Sequence, residues 1–160
     1  MTLSEIRERA IAPALALLPA RMDSQAAEVQ LLAMGLQESR FEHRHQIGGP
    51  AHGFWQFEKG GGVRGVLHHS SSREHAQAVC RARNVIATEG AVYAALEHDD
   101  VLAAAFARLL LWTDPKALPA LGDEQGAWDL YLRTWRPGKP HRHTWSALYD
   151  KALEEVTCSG

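Results

Sequence analysis

The residue best suited to chemistry is Glu38, which lies near the end of a long predicted helix. Steps of three or four residues back from it reach Met34, Leu31 and Ala27, so its side chain continues an apolar face. Partial removal from water disfavours the charged carboxylate and raises its pKa, which suits a general acid. Gly35 predicts that another backbone approaches this helix closely. A solvated or ion-paired glutamate at a helix end fits the same periodicity.

Two short motifs extend the interpretation of Glu38. The helix ends with Glu-Ser-Arg-Phe at residues 38–41, and residues 50–56 read Pro-Ala-His-Gly-Phe-Trp-Gln. Together they resemble the signature of the goose-type lysozyme and soluble lytic transglycosylase superfamily. That signature is a Glu-Ser-x-aromatic helix end followed by a Gly-Ala-x-Gly-Leu-Met-Gln loop. Here Pro50 stands at the first glycine position, and Phe54-Trp55 replace Leu-Met.

The resemblance implies a role for each matching residue. Glu38 corresponds to the catalytic acid of the family, and Ser39 to the serine that shapes the substrate site. Gly53 and Gln56 correspond to loop positions that line the sugar cleft. The peptidoglycan glycan strand is the substrate that the resemblance predicts.

The two aromatic residues of the loop have two possible roles. Phe54 and Trp55 would offer a flat apolar platform to a sugar ring, which aromatic faces suit. They would instead anchor the loop if their rings pack into the core. One ring in the core and one in the cleft is a third arrangement that the sequence permits.

The family also carries an Ala-Tyr-Asn-x-Gly segment, whose tyrosine points at the catalytic acid. The nearest equivalent is the segment at residues 104–108, where Phe106 lacks the hydroxyl group. Tyr131, on another predicted helix, is the alternative source of that hydroxyl. A core ring with a solvated hydroxyl is the other interpretation of Tyr131.

Cleavage of a β-1,4 glycosidic bond by water needs a second carboxylate, either a base or a nucleophile. Glu42 and Glu58 are the nearest candidates, and Glu42 is expected to face solvent. In the lytic transglycosylase scheme one glutamic acid suffices, acting first as acid and then as base. The resemblance therefore predicts a transglycosylase with Glu38 as its acid, and a muramidase with Glu58 as second carboxylate is the alternative. A non-catalytic wall-binding or virion tail protein of the same fold is a further one.

Metal chemistry is the competing explanation for the many histidines. Zinc hydrolases usually supply three protein ligands, and none of these histidines has the spacing of a His-Glu-x-x-His helix. We interpret them as solvated loop residues and predict no metal and no cofactor. The histidines considered are His43, His45, His68, His69, His75, His141 and His143.

The elements that must position Glu38 are mostly helices. Seven of the thirteen glycines fall within residues 48–65, and only residues 47–57 have the composition of a β segment. With the resemblance, we predict a mainly α, lysozyme-like α+β fold, a helical body with one small β-containing loop lobe. A single catalytic domain is expected over residues 1–157, with a short tail at 158–160. Helices are predicted at residues 4–18, 24–41, 71–88, 91–97, 101–112, 123–135 and 145–156.

Composition limits the partners. The 160 residues are 46% hydrophobic and 22% charged, typical of a globular chain, with a net charge of −2. We therefore expect no nucleic acid, no stable membrane association and a monomer. No signal peptide is recognised, which with the resemblance suggests a bacteriophage endolysin. It would accumulate in the host bacterial cytoplasm and reach the periplasm at lysis; a virion-associated protein is the alternative.

Overall fold

The computed structural model describes residues 1–158, which are mainly helical, as predicted. The helices vary from one turn to four or five turns, and several short ones run directly into each other. The order is α1 (Leu3–Ile6), a π-helical turn (Arg7–Ile11), α2 (Ala12–Ala16), a 3-10 turn (Ala20–Met22), α3 (Gln25–Ser39), a kinked helical turn (Lys59–Val63), α4 (Arg64–His68), α5 (Arg73–Ala82), α6 (Glu89–Leu96), α7 (Asp100–Trp112), α8 (Glu124–Trp135) and α9 (Arg142–Cys158).

The predicted β-containing lobe contains no sheet in the part of the chain that the structure describes. Residues 40–58 instead form an irregular loop. Two isolated antiparallel bridges occur there, His45 with His52 and His52 with Phe57. The backbone reverses too sharply for a ladder to extend, because Gln56 and Gly53 both have left-handed φ angles.

Several predicted helix boundaries are wrong for local reasons. The expected capping box at Ser71 does not form, because the Ser71 hydroxyl pairs with the His69 ring. The helix begins at Arg73 and ends at Ala82, well short of Thr88. The glycine run that was expected to be loop forms the kinked turn that leads into α4.

The hydrophobic core has α7 near its centre. Residues 102–111 of α7 are all buried, and α7 contacts α2, α3, α4, α5, α6 and α8. Among the described residues, α3 and α9 pack against each other more extensively than any other pair of helices. This packing holds α3, and therefore Glu38, between the core and the surface.

The first and last helices differ from their predicted boundaries. The first helix is capped by Thr2 and begins at Leu3 rather than at the predicted Ser4. The last helix begins at Arg142 and includes Cys158, which was expected to start a tail. The remaining two tail positions, 159 and 160, lie outside the described residues. Among the described residues, no helix has the length and apolar character needed to cross a bilayer.

Candidate active site

Glu38 lies in the last turn of α3. The residues one and two turns before it, Met34 and Leu31, are fully buried, as the periodicity predicted. Arg40 ends the helix in the left-handed conformation, with its N–H donating to the Leu36 carbonyl. Glu38 itself is partly buried, because it stands where the core-facing side of α3 reaches an open cavity.

The close approach expected at Gly35 is made by a ring rather than by a backbone. A Cβ atom at Gly35 would lie 2.1 Å from the Phe41 ring. Phe41 turns back over the helix because residues 40 and 41 both have left-handed φ angles. Its ring then packs edge-on against Phe54 and Trp55, with centroids 5.4 and 5.5 Å away. The turn after Glu38 is thereby fixed to the loop that follows.

The Tyr131 hydroxyl donates a hydrogen bond of 2.6 Å to Oε1 of Glu38. The sequence left open whether Phe106 or Tyr131 stands in place of the family tyrosine; Tyr131 makes this contact, and Phe106 is fully buried in α7. The Tyr131 ring is buried and stacks on Trp145 of α9, with centroids 5.6 Å apart and planes inclined by 8°. Because α9 also packs on α3, it positions the Tyr131 ring beside the end of the helix that carries Glu38.

The environment of Glu38 favours its protonated form. Burial raises the pKa of the Glu38 carboxyl to about 7, while the Tyr131 hydrogen bond opposes this and the Glu58 charge adds to it. The pKa of Tyr131 is raised in turn, by burial and by the carboxylate beside it. The tyrosine therefore remains a neutral donor, and Glu38 is able to lose and regain a proton near neutral pH.

Glu38 opens into a cavity of about 540 Å³ between α3, α8 and the loops that follow them. Its lining is polar and includes residues of both signs of charge. The lining residues are Gln37, Glu38, Gln46, Ala51, Gln56, Glu58, Tyr131, Trp135, Arg136, Pro137, Gly138, Lys139 and His141. A neighbouring cavity of about 550 Å³ shares Glu58, Trp135 and Arg136 with it, and we call the two adjoining cavities the groove.

Two of the remaining predicted site residues support or line this cavity. Gln56 lines it, with its side-chain amide donating to the Gly53 carbonyl across 2.8 Å. Ser39 is buried, and its hydroxyl donates to the Phe54 carbonyl across 2.7 Å and accepts from the Phe41 N–H. Ser39 therefore fixes the loop to the end of α3 and does not itself line the cavity.

The other predicted cleft residues are buried, which corrects the expected cleft position of Gly53 and, for Phe54 and Trp55, matches the alternative in which the rings anchor the loop. Both rings are buried, and Trp55 Nε1 donates to the Leu31 carbonyl. Neither ring can form the expected sugar platform. Gly53 faces α6, where a Cβ would lie 2.9 Å from the Leu96 carbonyl oxygen, and its φ of +80° favours glycine.

Trp135 is the aromatic residue that the sequence analysis missed. It is only partly buried, it lines both cavities, and its Nε1 donates to the Trp55 carbonyl. The available signal was its position four residues after Tyr131, which places the two rings on one face of α8.

Comparisons with protein-family models, with curated proteins and with solved structures found no match to this chain.

Proposed function

We propose that this protein is a lytic transglycosylase that cleaves the MurNAc-β-1,4-GlcNAc bond of peptidoglycan, with Glu38 as its acid and then its base. The observation that carries the proposal is the Glu38 carboxyl at an open groove, with a pKa of about 7 and a hydrogen bond from Tyr131. A carboxyl group with that pKa is substantially protonated at neutral pH, as a general acid must be. The lysozyme-like form of the helical fold is part of the same proposal.

In the proposed reaction, protonated Glu38 gives its proton to the glycosidic oxygen as the bond from C1 to that oxygen breaks. The N-acetyl group of the muramic acid residue stabilises the positive charge that develops at C1. The Glu38 carboxylate then removes the proton of the C6 hydroxyl, and O6 bonds to C1 to close a 1,6-anhydro ring. Glu38 ends protonated, and no water molecule is consumed.

Tyr131 has a defined part in this cycle. When Glu38 is charged, the Tyr131 hydroxyl donates to it and stabilises the carboxylate that the first step produces. The bond also orients the carboxyl group toward the groove. The site thus contains a positioned acid whose charged form is stabilised by one hydrogen bond, while burial keeps its pKa high.

A muramidase is the second candidate, and one observation favours it. Glu58 lines the same cavity as Glu38 and its charge contributes to the raised pKa there. A second carboxylate facing the same groove could act on a water molecule or on C1 directly. Glu58 would then be the base or the nucleophile of a hydrolase.

The experiment is mass spectrometry of the fragments released from purified Gram-negative sacculi. Anhydro ends, one water lighter than hydrolysed ends, are expected with the wild type and should disappear with Glu38→Gln. Glu42→Gln is the matched control, because Glu42 is an exposed carboxylate four residues further along. Reducing muramic acid ends would establish the muramidase instead.

A non-catalytic wall-binding protein predicts a different result. Neither kind of product would then appear, while wild type and Glu38→Gln would sediment equally with sacculi. The endolysin role is a separate proposal about biology. Detection of the protein in purified virions would replace it with the virion-associated alternative.

A further inference from the structure

Three side chains of the types that ligate metal ions lie close together where the loop at residues 40–58 meets the end of α6. They are His45, His52 and Glu97, and none of them lines the groove beside Glu38. One ligand atom from each lies within 4.8 Å of the other two. His45 and His52 are brought together by the isolated bridge between them, and Glu97 follows directly after α6.

The Glu97 carboxylate approaches a nitrogen of each ring. Its Oε1 is 3.5 Å from His45 Nδ1, and its Oε2 is 4.0 Å from His52 Nε2. The ring centroids of His45 and His52 are 4.9 Å apart. His98 Nε2 approaches the same carboxylate at 3.8 Å from Oε2. Three imidazoles therefore lie within 4.0 Å of one carboxylate.

His52 is oriented in the way that metal-binding histidines usually are. Its Nδ1 lies 2.8 Å from the Tyr93 carbonyl oxygen, and its ring stacks on the Tyr93 ring with centroids 3.8 Å apart. A carbonyl oxygen only accepts, so Nδ1 carries a proton, and in the neutral ring Nε2 is the nitrogen with the free lone pair. A backbone carbonyl that accepts from the second ring nitrogen is the usual outer-shell partner of such a ligand. The ring is buried, so this orientation is held by packing.

In place of the sequence-based prediction that His45 is a solvated loop residue and that no metal binds, we propose that His45, His52 and Glu97 form a zinc-binding site that links the loop to α6. Two imidazoles and one carboxylate are a ligand set that Zn²⁺ commonly takes, with a fourth position for water or another side chain. Exposed His98 is the candidate for that fourth position. Zinc–ligand distances near 2.0–2.2 Å require the three groups to move together slightly. The exposed His45 ring and the Glu97 carboxylate, at the end of a short helix, are the groups free to move.

A bound ion would tie together segments that are distant in the chain. His45 and His52 belong to the loop that carries Gln56, and Glu97 belongs to the segment that follows α6. Binding to the folded state alone stabilises it in proportion to the logarithm of metal concentration over Kd. Zinc should therefore raise the unfolding temperature of the full chain.

The test is isothermal titration calorimetry of the metal-stripped full chain with ZnCl₂, together with the absorption spectrum of the Co²⁺ form. The variants are His45→Ala and Glu97→Gln, which alter partly or fully exposed side chains and spare the core. His68→Ala is the matched control, because His68 forms a comparable pair with Glu89, at 3.0 Å, on another part of the surface. Circular dichroism of each variant establishes that it is folded.

We expect one equivalent of Zn²⁺ to bind, with affinity reduced by about tenfold or more in each ligand variant and unchanged in His68→Ala. The Co²⁺ form should show the intense visible bands of a four-coordinate site, and these should be lost in Glu97→Gln. The proposal is overturned if the folded wild type binds no stoichiometric zinc. Affinity that is unchanged in both ligand variants overturns it equally.

Discussion

The hydroxyl of Tyr131 and the carboxylate of Glu38 are joined by a hydrogen bond of 2.6 Å, although the two residues are 93 positions apart. The contact is made at the groove, between a buried ring on α8 and the last turn of α3. It lowers the pKa of Glu38, while burial and the Glu58 charge raise it. These opposed effects leave the pKa at about 7 and can be altered separately by mutation.

Turnover by the wild type should fall as pH rises through about 7, because the proposed acid loses its proton there. The measurement is the rate of release of soluble fragments from sacculi between pH 5 and 9, at constant ionic strength. A rate that stayed constant over this range would contradict the assignment of Glu38 as the acid.

Two substitutions should move this alkaline limit in opposite directions. Tyr131→Phe removes the hydrogen bond that lowers the pKa of Glu38, so the limit should move to higher pH. Glu58→Gln removes a charge that raises that pKa, so the limit should move to lower pH. The same rate profiles are the measurement.

Glu58→Gln also separates the two candidate reactions. If Glu58 is the base or nucleophile of a muramidase, turnover should fall by about 10²-fold or more at every pH. A transglycosylase should retain most of its maximal rate. Glu42→Gln is again the control, since it removes an exposed charge of the same kind.

Glu38→Gln should stabilise the protein at alkaline pH. The folded-state pKa of about 7 is above the ordinary 4.5, so the folded protein binds this proton more tightly than the unfolded chain does. The contribution of the Glu38 carboxyl to the free energy of unfolding is therefore fully present below pH 4.5 and is lost as the pH rises through 7. The amide of Glu38→Gln does not ionise, so this loss does not occur in the variant. At pH 8 its free energy of unfolding should exceed that of the wild type by at most about 3 kcal/mol. Urea unfolding of both proteins at pH 5 and pH 8 measures this, and an equal difference at both values would contradict it.

Trp135→Ala should weaken binding to sacculi and lower turnover, because Trp135 presents the partly exposed ring in the groove. Trp112→Ala is the matched control, a partly buried tryptophan outside that cavity. Co-sedimentation with sacculi measures binding, and thermal unfolding measures any loss of stability. Equal binding by the two variants would mean that Trp135 does not contact the substrate.

Gly35→Ala should destabilise the protein although alanine is the better helix former. The new methyl group would lie 2.1 Å from the Phe41 ring, which is buried and packed against Phe54 and Trp55. Overpacking of this kind costs about 1–3 kcal/mol. Gly60→Ala is the control, because nothing lies within 4 Å of a Cβ there. Equilibrium unfolding in urea should show a clearly lower free energy of unfolding for Gly35→Ala and little change for Gly60→Ala.

Sequence pattern alone predicted the long helices, though not all of their boundaries, and indicated one of the two environments that it allowed for Glu38. Apolar residues at helical spacing predicted α3 and α7, because a helix in a small protein must bury one side. The same spacing placed Glu38 on the buried side of α3, and the raised pKa follows from that position. These features depend on residues close together in the chain.

Tertiary structure decided which distant residues meet Glu38 and which way the loop side chains point. Tyr131 reaches the carboxylate because α9 packs on α3 and holds the Tyr131 ring, a relation that no local pattern contains. Of the two tryptophans near the site, Trp55 is buried and Trp135 lines the groove. The difference arises because left-handed turns at Phe41 and Gln56 direct the loop aromatics into the core. Whether an aromatic side chain points into the core or toward the groove depends on how the surrounding helices pack, and therefore only the folded chain determines it.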